Sequence, residues 1–228
     1  MKICILIPVF NEAKALGALL KRLIQDKGFD VLVVDDGSTD GSGQIAQDKG
    51  ARLIHHPVRM GKGKSLKDGF RMVLEKNYDG VLMMDGDGQH DPQDLEGFFK
   101  VLSSNQPIIV TGNRMADAQG MPVVRYLTNR FMSIIISLAS GQSIADTQCG
   151  YRYISCEVLR NLNLQSDDFE IETEILMQAS KKGYKIISIP IATIYRNEES
   201  HIHPVKDTMR FIAYFVKEVF FSKNSRNK

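Results

Sequence analysis

The stretch Val81-Leu82-Met83-Met84-Asp85-Gly86-Asp87-Gly88-Gln89-His90 decides how this chain is read. Four apolar residues in a row predict a short strand covered on both faces. Two aspartates at i and i+2, with glycine between them, follow at once. Carboxylates at that spacing, with Gln89 at the next alternate position, can converge on one hard cation. Mg²⁺ or Mn²⁺ suits such a set, because each keeps waters and takes further oxygen ligands from phosphates. A solvated acidic turn has the same composition, since Asp and Gly are common in loops. The apolar run before the pair and Gln89 after it favour the metal reading.

Apolar runs at 3–9, 31–34, 53–54, 81–84 and 108–111 alternate with helical patterns, among them a stripe of Ala15, Leu16, Leu19, Leu20 and Leu23. Further helices are expected at about 62–76 and from Pro92 onward. That alternation predicts an α/β fold of parallel strands with right-handed crossovers. The polar, glycine-rich segments Asn11-Glu12, 35–41 and 85–91 all fall after strands, at the edge where open α/β sheets bind ligands. Past Gly120 the rhythm changes. A helix is expected at 123–139, an irregular segment at 146–152, a helix at 171–182, a strand at 185–189, a helix at about 205–221 and a frayed tail at 222–228.

The chain has 228 residues, 43% hydrophobic and 25% charged, which suits one sizeable core. A net charge of +2 creates no field calling for nucleic acid. Cys4, Cys149 and Cys156 lack CxxC spacing and read as reduced, buried thiols of a cytoplasmic protein. The first apolar run contains Pro8 and meets Asn11-Glu12 without a cleavage site, so it reads as a strand and not a signal peptide. No apolar stretch nears the ~20 residues that a membrane span needs.

Other segments carry candidate chemistry. Asp36, after the second strand, can accept hydrogen bonds from a ribose or a base edge, while Ser38, Thr39 or Asp40 caps the next helix. Gly61-Lys62-Gly63-Lys64-Ser65 looks like half of a phosphate-binding loop, but the upstream glycine is missing, so an ATPase is rejected. Phosphate contact at Lys62 and a solvated basic helix start remain open. Arg114, Arg125 and Arg130 suit phosphates. His201 and His203 lack companions at metal-ligand spacing. Five aromatics lie between Phe211 and Phe221, with Arg210 and Lys217 alongside. That segment, helped by 131–138, reads either as an interfacial amphipathic helix or as a helix packed on the sheet.

Taken in order, Ile7 to Glu12, Val34-Asp35-Asp36-Gly37-Ser38, Gly61-Lys62-Gly63, Asp85 to His90, Gly112-Asn113-Arg114 and Asp146 to Arg152 resemble the inverting family 2 glycosyltransferases of GT-A fold. The set is most similar to the branch that loads mannose or glucose onto dolichyl or polyprenyl phosphate. The resemblance covers about residues 1–210. It implies a mostly parallel sheet flanked by helices, in a single GT-A domain over 1–228. Within it, 1–117 would be a nucleotide-sugar-binding half and 118–221 an acceptor-side half ending in the amphipathic helix.

By the same resemblance, Pro8, Phe10, Glu12, Val34 and Asp36 would hold the nucleoside of a GDP- or UDP-hexose. Lys62 and Gly86 would join them at the donor, Asp85, Asp87 and Gln89 would bind the metal, and Arg114, Arg125 and Asn129 would surround the phosphates. Around Thr193 to Ser200-His201 the chain departs from the branch's pattern, and Lys206 and Arg210 stand where charge is expected. The metal, on Asp85 and Asp87, would offset charge on the departing diphosphate with Arg114 as helper. A lipid phosphate acceptor needs no general base; a hydroxyl acceptor would, with Asp146, Glu170 or Glu172 as candidates. Such an enzyme would work in the cytoplasm, peripheral on the inner face of the membrane. An idle nucleotide-sugar-binding protein is the reading from another class, and the intact Asp85, Asp87, Gln89 and Arg114 argue against it.

Overall fold

In the computed structural model, residues 1–102, 106–192 and 194 are described. The expected helix at 205–221, the tail, and Thr193, Ser200, His201, His203, Lys206 and Arg210 lie outside them.

In chain order the elements are β1 Ile3–Val9, α1 Ala13–Leu20, β2 Asp30–Asp35, α2 Ser42–Asp48, β3 Arg52–His55, α3 Lys62–Glu75 and β4 Gly80–Met83. Next come α4 Leu95–Val101, β5 Ile108–Asn113, α5 Val123–Ser140, β6 Arg152–Ser155, α6 Cys156–Asn161, α7 Glu170–Lys181 and β7 Lys185–Pro190. Helix α1 runs on through a wider π-helical stretch, Lys21–Asp26. A tight 3-10 turn, Pro92–Asp94, opens α4, with the Asp91 side chain accepting from the Gln93 N–H.

The seven strands form one sheet in the order β3-β2-β1-β4-β6-β5-β7. All neighbours run parallel except β6, which is antiparallel to both β4 and β5. The parallel, helix-flanked α/β architecture is as the sequence implies. The segment 146–151 is irregular as expected, with only Arg152 falling in a strand, while strand β6 and helix α6 are elements that the sequence reading does not anticipate. Arg152 breaks the apolar run at the start of β6, yet all four strand residues are buried. The guanidinium manages this by donating to main-chain carbonyls, which no periodicity can foretell.

Side chains alternate across a strand, and the two cores follow that alternation. In β1, Cys4 and Leu6 enter the layer of α3, α5, α6 and α7, whereas Ile5, Ile7 and Val9 enter the layer of α1, α2 and α4. At β4, Val81 and Met83 face the first layer, Leu82 and Met84 the second. Asp85 is next in parity for the α3 and α7 side, which is where its partners lie. Each large aliphatic side chain buried in this way contributes roughly 1.5–3 kcal/mol. Cys4, Cys149 and Cys156 are buried free thiols.

Candidate functional site

The carboxyl ends of β1, β2 and β4 are adjacent, because β1 lies between the other two. Register sets Pro8 beside Val34 and Val9 beside Asp35, and the Asp36 N–H donates to Val9 O at 2.8 Å. The loop after β1 is pinned from β2's side: Asn11 N–H donates to Ser38 Oγ, Glu12 N–H to Ser42 Oγ and Ala13 N–H to Asp40 Oδ2, each at 2.9 Å. Asn11 takes a left-handed φ of 58° to make the turn. Pro8, Phe10, Glu12, Val34 and Asp36 are thereby brought to one edge. The Arg59 guanidinium lies 4.2 Å from the centre of the Phe10 ring, a cation–π contact that sequence reading missed.

Asp36 is buried and well supplied with donors. Its Oδ1 accepts from His56 Nδ1 at 2.8 Å and Met60 N at 2.9 Å, and its Oδ2 from Gly61 N at 2.8 Å. These bonds shape the loop 56–61 that leads into α3. There Gly61 adopts φ 102°, ψ 153°, a region open only to glycine, and a Cβ at this position would lie 2.4 Å from the Asp167 carbonyl.

Lys62, first residue of α3, holds the centre of the site. Its Nζ donates to Asp85 Oδ1 at 2.7 Å and forms an ion pair of the same length with Glu172 Oε1, without directed hydrogen-bond geometry. Burial opposes the Lys62 charge, but Asp85 and Glu172 outweigh it and push its pKa up. Burial also opposes ionisation of Asp85. There Lys62, His90 and Arg114 together win, holding that carboxyl well below the ordinary range. Asp87 goes the other way: burial and the neighbouring Asp85 charge raise it. One aspartate is thus paired directly with an ammonium, whereas for the other burial and the Asp85 charge outweigh the more distant pull of His90 and Lys62.

Three further contacts set this loop. The Gln89 N–H donates to Asp87 Oδ1 at 2.9 Å. The Asp85 N–H donates to His90 Nδ1 at 3.1 Å, which places the ring proton on Nε2. His90 stacks on Tyr151 at 4.9 Å, and burial lowers its pKa. Gly86 packs beside Val9, and Gly150 comes so close that a Cβ there would be 2.6 Å from Asp85 Oδ2.

Arg114 and Asp146 form a buried clamp. Arg114 Nε donates to Asp146 Oδ2 at 2.7 Å, Nη2 to Oδ1 at 3.0 Å, and the Arg114 N–H to Oδ2 at 3.2 Å. Oδ1 also accepts from the Gln148 N–H at 3.1 Å. With four donors on two oxygens, Asp146 holds a loop in place and has no lone pair left for an acceptor's proton. Glu172 is likewise committed to Lys62, whereas Glu170 stands half-buried at the start of α7 with no partner among the described residues. Arg125 and Asn129 lie on α5, Asn129 on its buried face and Arg125 half-buried, and Arg130 is exposed.

Arg152, which the sequence reading included in the Asp146–Arg152 segment but gave no role, braces the site. Fully buried, it donates from Nη1 to Glu172 O at 2.9 Å and from Nη2 to Cys149 O at 3.3 Å and Thr147 O at 3.4 Å. It thereby ties the Asp146–Gly150 loop to α7. The one available signal was an arginine inside an apolar run, because a buried arginine demands partners.

The oxygen donors fit a divalent cation. Asp85, Asp87 and Gln89 offer two carboxylates and an amide, all hard ligands, with one Asp85 oxygen already bonded to the Lys62 ammonium. Among the described residues no group of three or more His, Cys, Asp or Glu side chains could hold a metal by itself. Remaining ligands would therefore come from water and substrate phosphates.

Comparison with known proteins places this arrangement. The chain is 31% identical over 210 residues to glycosyltransferase AglJ of Haloferax volcanii, covering 90% of this chain and 68% of that one. It is 29% identical over 209 residues to undecaprenyl-phosphate mannosyltransferase of Micrococcus luteus, covering 86% and 85%. Among solved structures, glucosyl-3-phosphoglycerate synthase of Mycobacterium tuberculosis, crystallised with Mn²⁺, UDP-glucose and phosphoglyceric acid, superposes with a TM-score of 0.72. Identity there is 21%, over 96% of this chain and 79% of that one, so the likeness is one of GT-A fold. Residues 4–162 match the glycosyl transferase family 2 pattern. That span takes in the ends of β1, β2, β4 and β5 and the whole returning strand β6, so the elements that carry the two carboxylates and the arginine clamp are family elements, and the chain belongs to glycosyl transferase family 2.

Proposed function

We propose that this glycosyltransferase moves a hexose, with inversion, from a GDP- or UDP-sugar to a polyprenyl phosphate at a membrane surface, and that Mg²⁺ or Mn²⁺ assists. The observation that carries the reading is the placement of Asp85, ion-paired with Lys62, and the adjacent Asp87, which has no ammonium bonded to it among the described residues, at the sheet's ligand edge. In the reaction, an acceptor phosphate oxygen forms a bond to the anomeric carbon as the bond to the donor diphosphate breaks. The nucleoside diphosphate leaves with the electron pair.

Asp85, Asp87 and Gln89 would hold the metal, whose chemistry is to neutralise charge that develops on the diphosphate. Lys62 and Arg114 would place fixed donors beside it, each already held by carboxylate partners, and a preorganised donor to developing charge is worth about 3 kcal/mol per group removed. Pro8, Phe10, Glu12, Val34 and Asp36 would seat the nucleoside. Arg125 and Asn129, on α5, would meet the acceptor phosphate.

A phosphate acceptor is already ionised and needs no proton removed. That agrees with Asp146 having its acceptor positions occupied and Glu172 being held in an ion pair with Lys62. The relatives' names support the acceptor too: besides the undecaprenyl-phosphate enzyme, a dolichyl-phosphate N-acetylglucosaminyltransferase of Methanococcus voltae is 26% identical over 215 residues. A hydroxyl acceptor in polysaccharide or glycoconjugate synthesis is the second reading, favoured by Glu170, which has no partner among the described residues and would then be the base.

The surface of α5 supports work at a membrane. Val123, Val124, Leu127, Phe131, Ile134 and Leu138 are 51–80% exposed and follow helical spacing. No helix among the described residues is long and apolar enough to cross a membrane. Peripheral attachment on the cytoplasmic face is the arrangement we infer.

The test is product extraction after incubation with labelled nucleotide sugars and polyprenyl phosphate. Label in the organic phase that is acid-labile and alkali-stable is the expected product. Label entering only water-soluble glycans would favour the hydroxyl acceptor. No transfer from any donor would return the chain to an idle binding role.

A further inference from the structure

His56 has no part in the chemistry above, yet it is 5% exposed and both of its ring nitrogens face carboxylates. Nδ1 is 2.8 Å from Asp36 Oδ1 and Nε2 is 3.1 Å from Asp68 Oδ2. Asp68 lies on α3 and is held ionised: burial opposes its charge, but the Lys64 ammonium, at 2.8 and 2.7 Å from its two oxygens, outweighs that, with Arg71 at 3.2 Å adding to it. The imidazole therefore spans a fixed anchor on a helix and the carboxylate at the end of β2.

The consequence falls on Asp36. Each carboxylate oxygen accepts about two hydrogen bonds. Oδ1 is filled by His56 and the Met60 N–H, while Oδ2 takes only the Gly61 N–H. One acceptor position remains, on Oδ2, in an orientation set by three donors from one side. Without His56, Oδ1 loses a donor and the carboxylate its lateral brace.

We propose that His56, anchored by Asp68, is a positioning residue that presents a single lone pair of Asp36 to the nucleobase and so selects bases carrying a ring N–H. Uracil (N3–H) and guanine (N1–H) satisfy it. Cytosine and adenine present a lone pair at the corresponding atom and are repelled. This rests on the donor-site reading above and adds to it a residue and a selection rule.

Isothermal titration of the full-length chain with UDP, GDP, CDP and ADP, each with Mn²⁺, tests both levels separately. Wild-type protein should prefer UDP or GDP over CDP and ADP by at least tenfold. His56→Phe should weaken the preferred nucleotide about tenfold and narrow the preference. His56→Gln, which keeps an N–H donor for Asp36 without the rigid ring that spans Asp36 and Asp68, should fall between, and Asp68→Asn should weaken binding in the same direction. At saturating donor, kcat should stay within about threefold while KM for the donor rises.

In an Asp36→Ala background His56→Phe should have no further effect on binding, a result that general loosening of the fold would not give. Folded His56 and Asp68 variants with unchanged affinity and preference overturn the inference while leaving the donor site standing. So does additive loss in the Asp36→Ala background. A wild-type chain that binds none of the four overturns the donor site and this inference with it.

Discussion

Lys62 occupies the space between two buried carboxylates, so its removal should be felt as charge before it is felt as shape. Lys62→Met leaves Asp85 and Glu172 without their shared ammonium. Breaking a buried ion pair from one side typically costs about 3–5 kcal/mol. The pH dependence carries a definite sign. In the wild type, Asp85 titrates below its ordinary value of 3.8, so its stabilising contribution is present above that value and disappears as pH falls through the depressed one. With Lys62 gone, burial dominates and the carboxyl moves above its ordinary value, so the sign reverses: protonating Asp85 relieves a buried charge, and the variant's deficit relative to wild type should shrink as pH falls. Urea unfolding midpoints of wild type and variant between pH 3 and 7 check this; parallel curves would show that Lys62 does not control Asp85. The same residue was legible in the sequence only as an ambiguous basic helix start. What decides its role is Glu172, 110 positions later, and no local pattern joins the two.

At the scale of elements, the strand ends were the legible part. Apolar runs and their length marked β1, β2, β4 and β5, and the parity of β4 already aims Asp85 at α3 and α7. The returning strand β6 was not legible, since four residues with an arginine among them carry neither alternation nor a continuous apolar run. The stabilising bonds of Arg152 are to carbonyls whose position depends on the finished fold. The turn into α3 offers an element-scale test. Gly61→Ala places a Cβ in a region that only glycine adopts and against the Asp167 carbonyl. It should cost roughly 1–3 kcal/mol from backbone strain, and it should displace both the N–H that serves Asp36 and the start of the helix that carries Lys62. Thermal unfolding and nucleotide titration should therefore fall together. A variant with wild-type stability and affinity would mean that the turn can relax at no cost.

For the whole molecule, the exposed apolar face of α5 is the surface we propose meets the membrane that carries the acceptor. The sequence showed an apolar stretch at 131–138 without saying which side faces water, because burial depends on where the sheet ends. The structure turns Asn129, Met132, Ser133 and Ile136 inward and leaves Leu127, Phe131, Ile134 and Leu138 outward. Wild-type protein should float with vesicles containing anionic lipid. Phe131→Glu with Leu138→Glu should abolish flotation and raise KM for polyprenyl phosphate at least tenfold, with little change in kcat on a short-chain soluble analogue. Equal flotation of wild type and double variant would remove α5 from the membrane contact.

The central claim is that Asp85 and Asp87 grip a divalent cation only together with the donor's diphosphate. Electron paramagnetic resonance of Mn²⁺ in the presence of the full-length chain measures this directly. The free-ion signal should fall when UDP or GDP is added to wild-type protein and Mn²⁺, and Asp87→Ala should restore it. Uptake of Mn²⁺ that is indifferent to both nucleotide and Asp87, or no uptake with any nucleotide, would contradict the account.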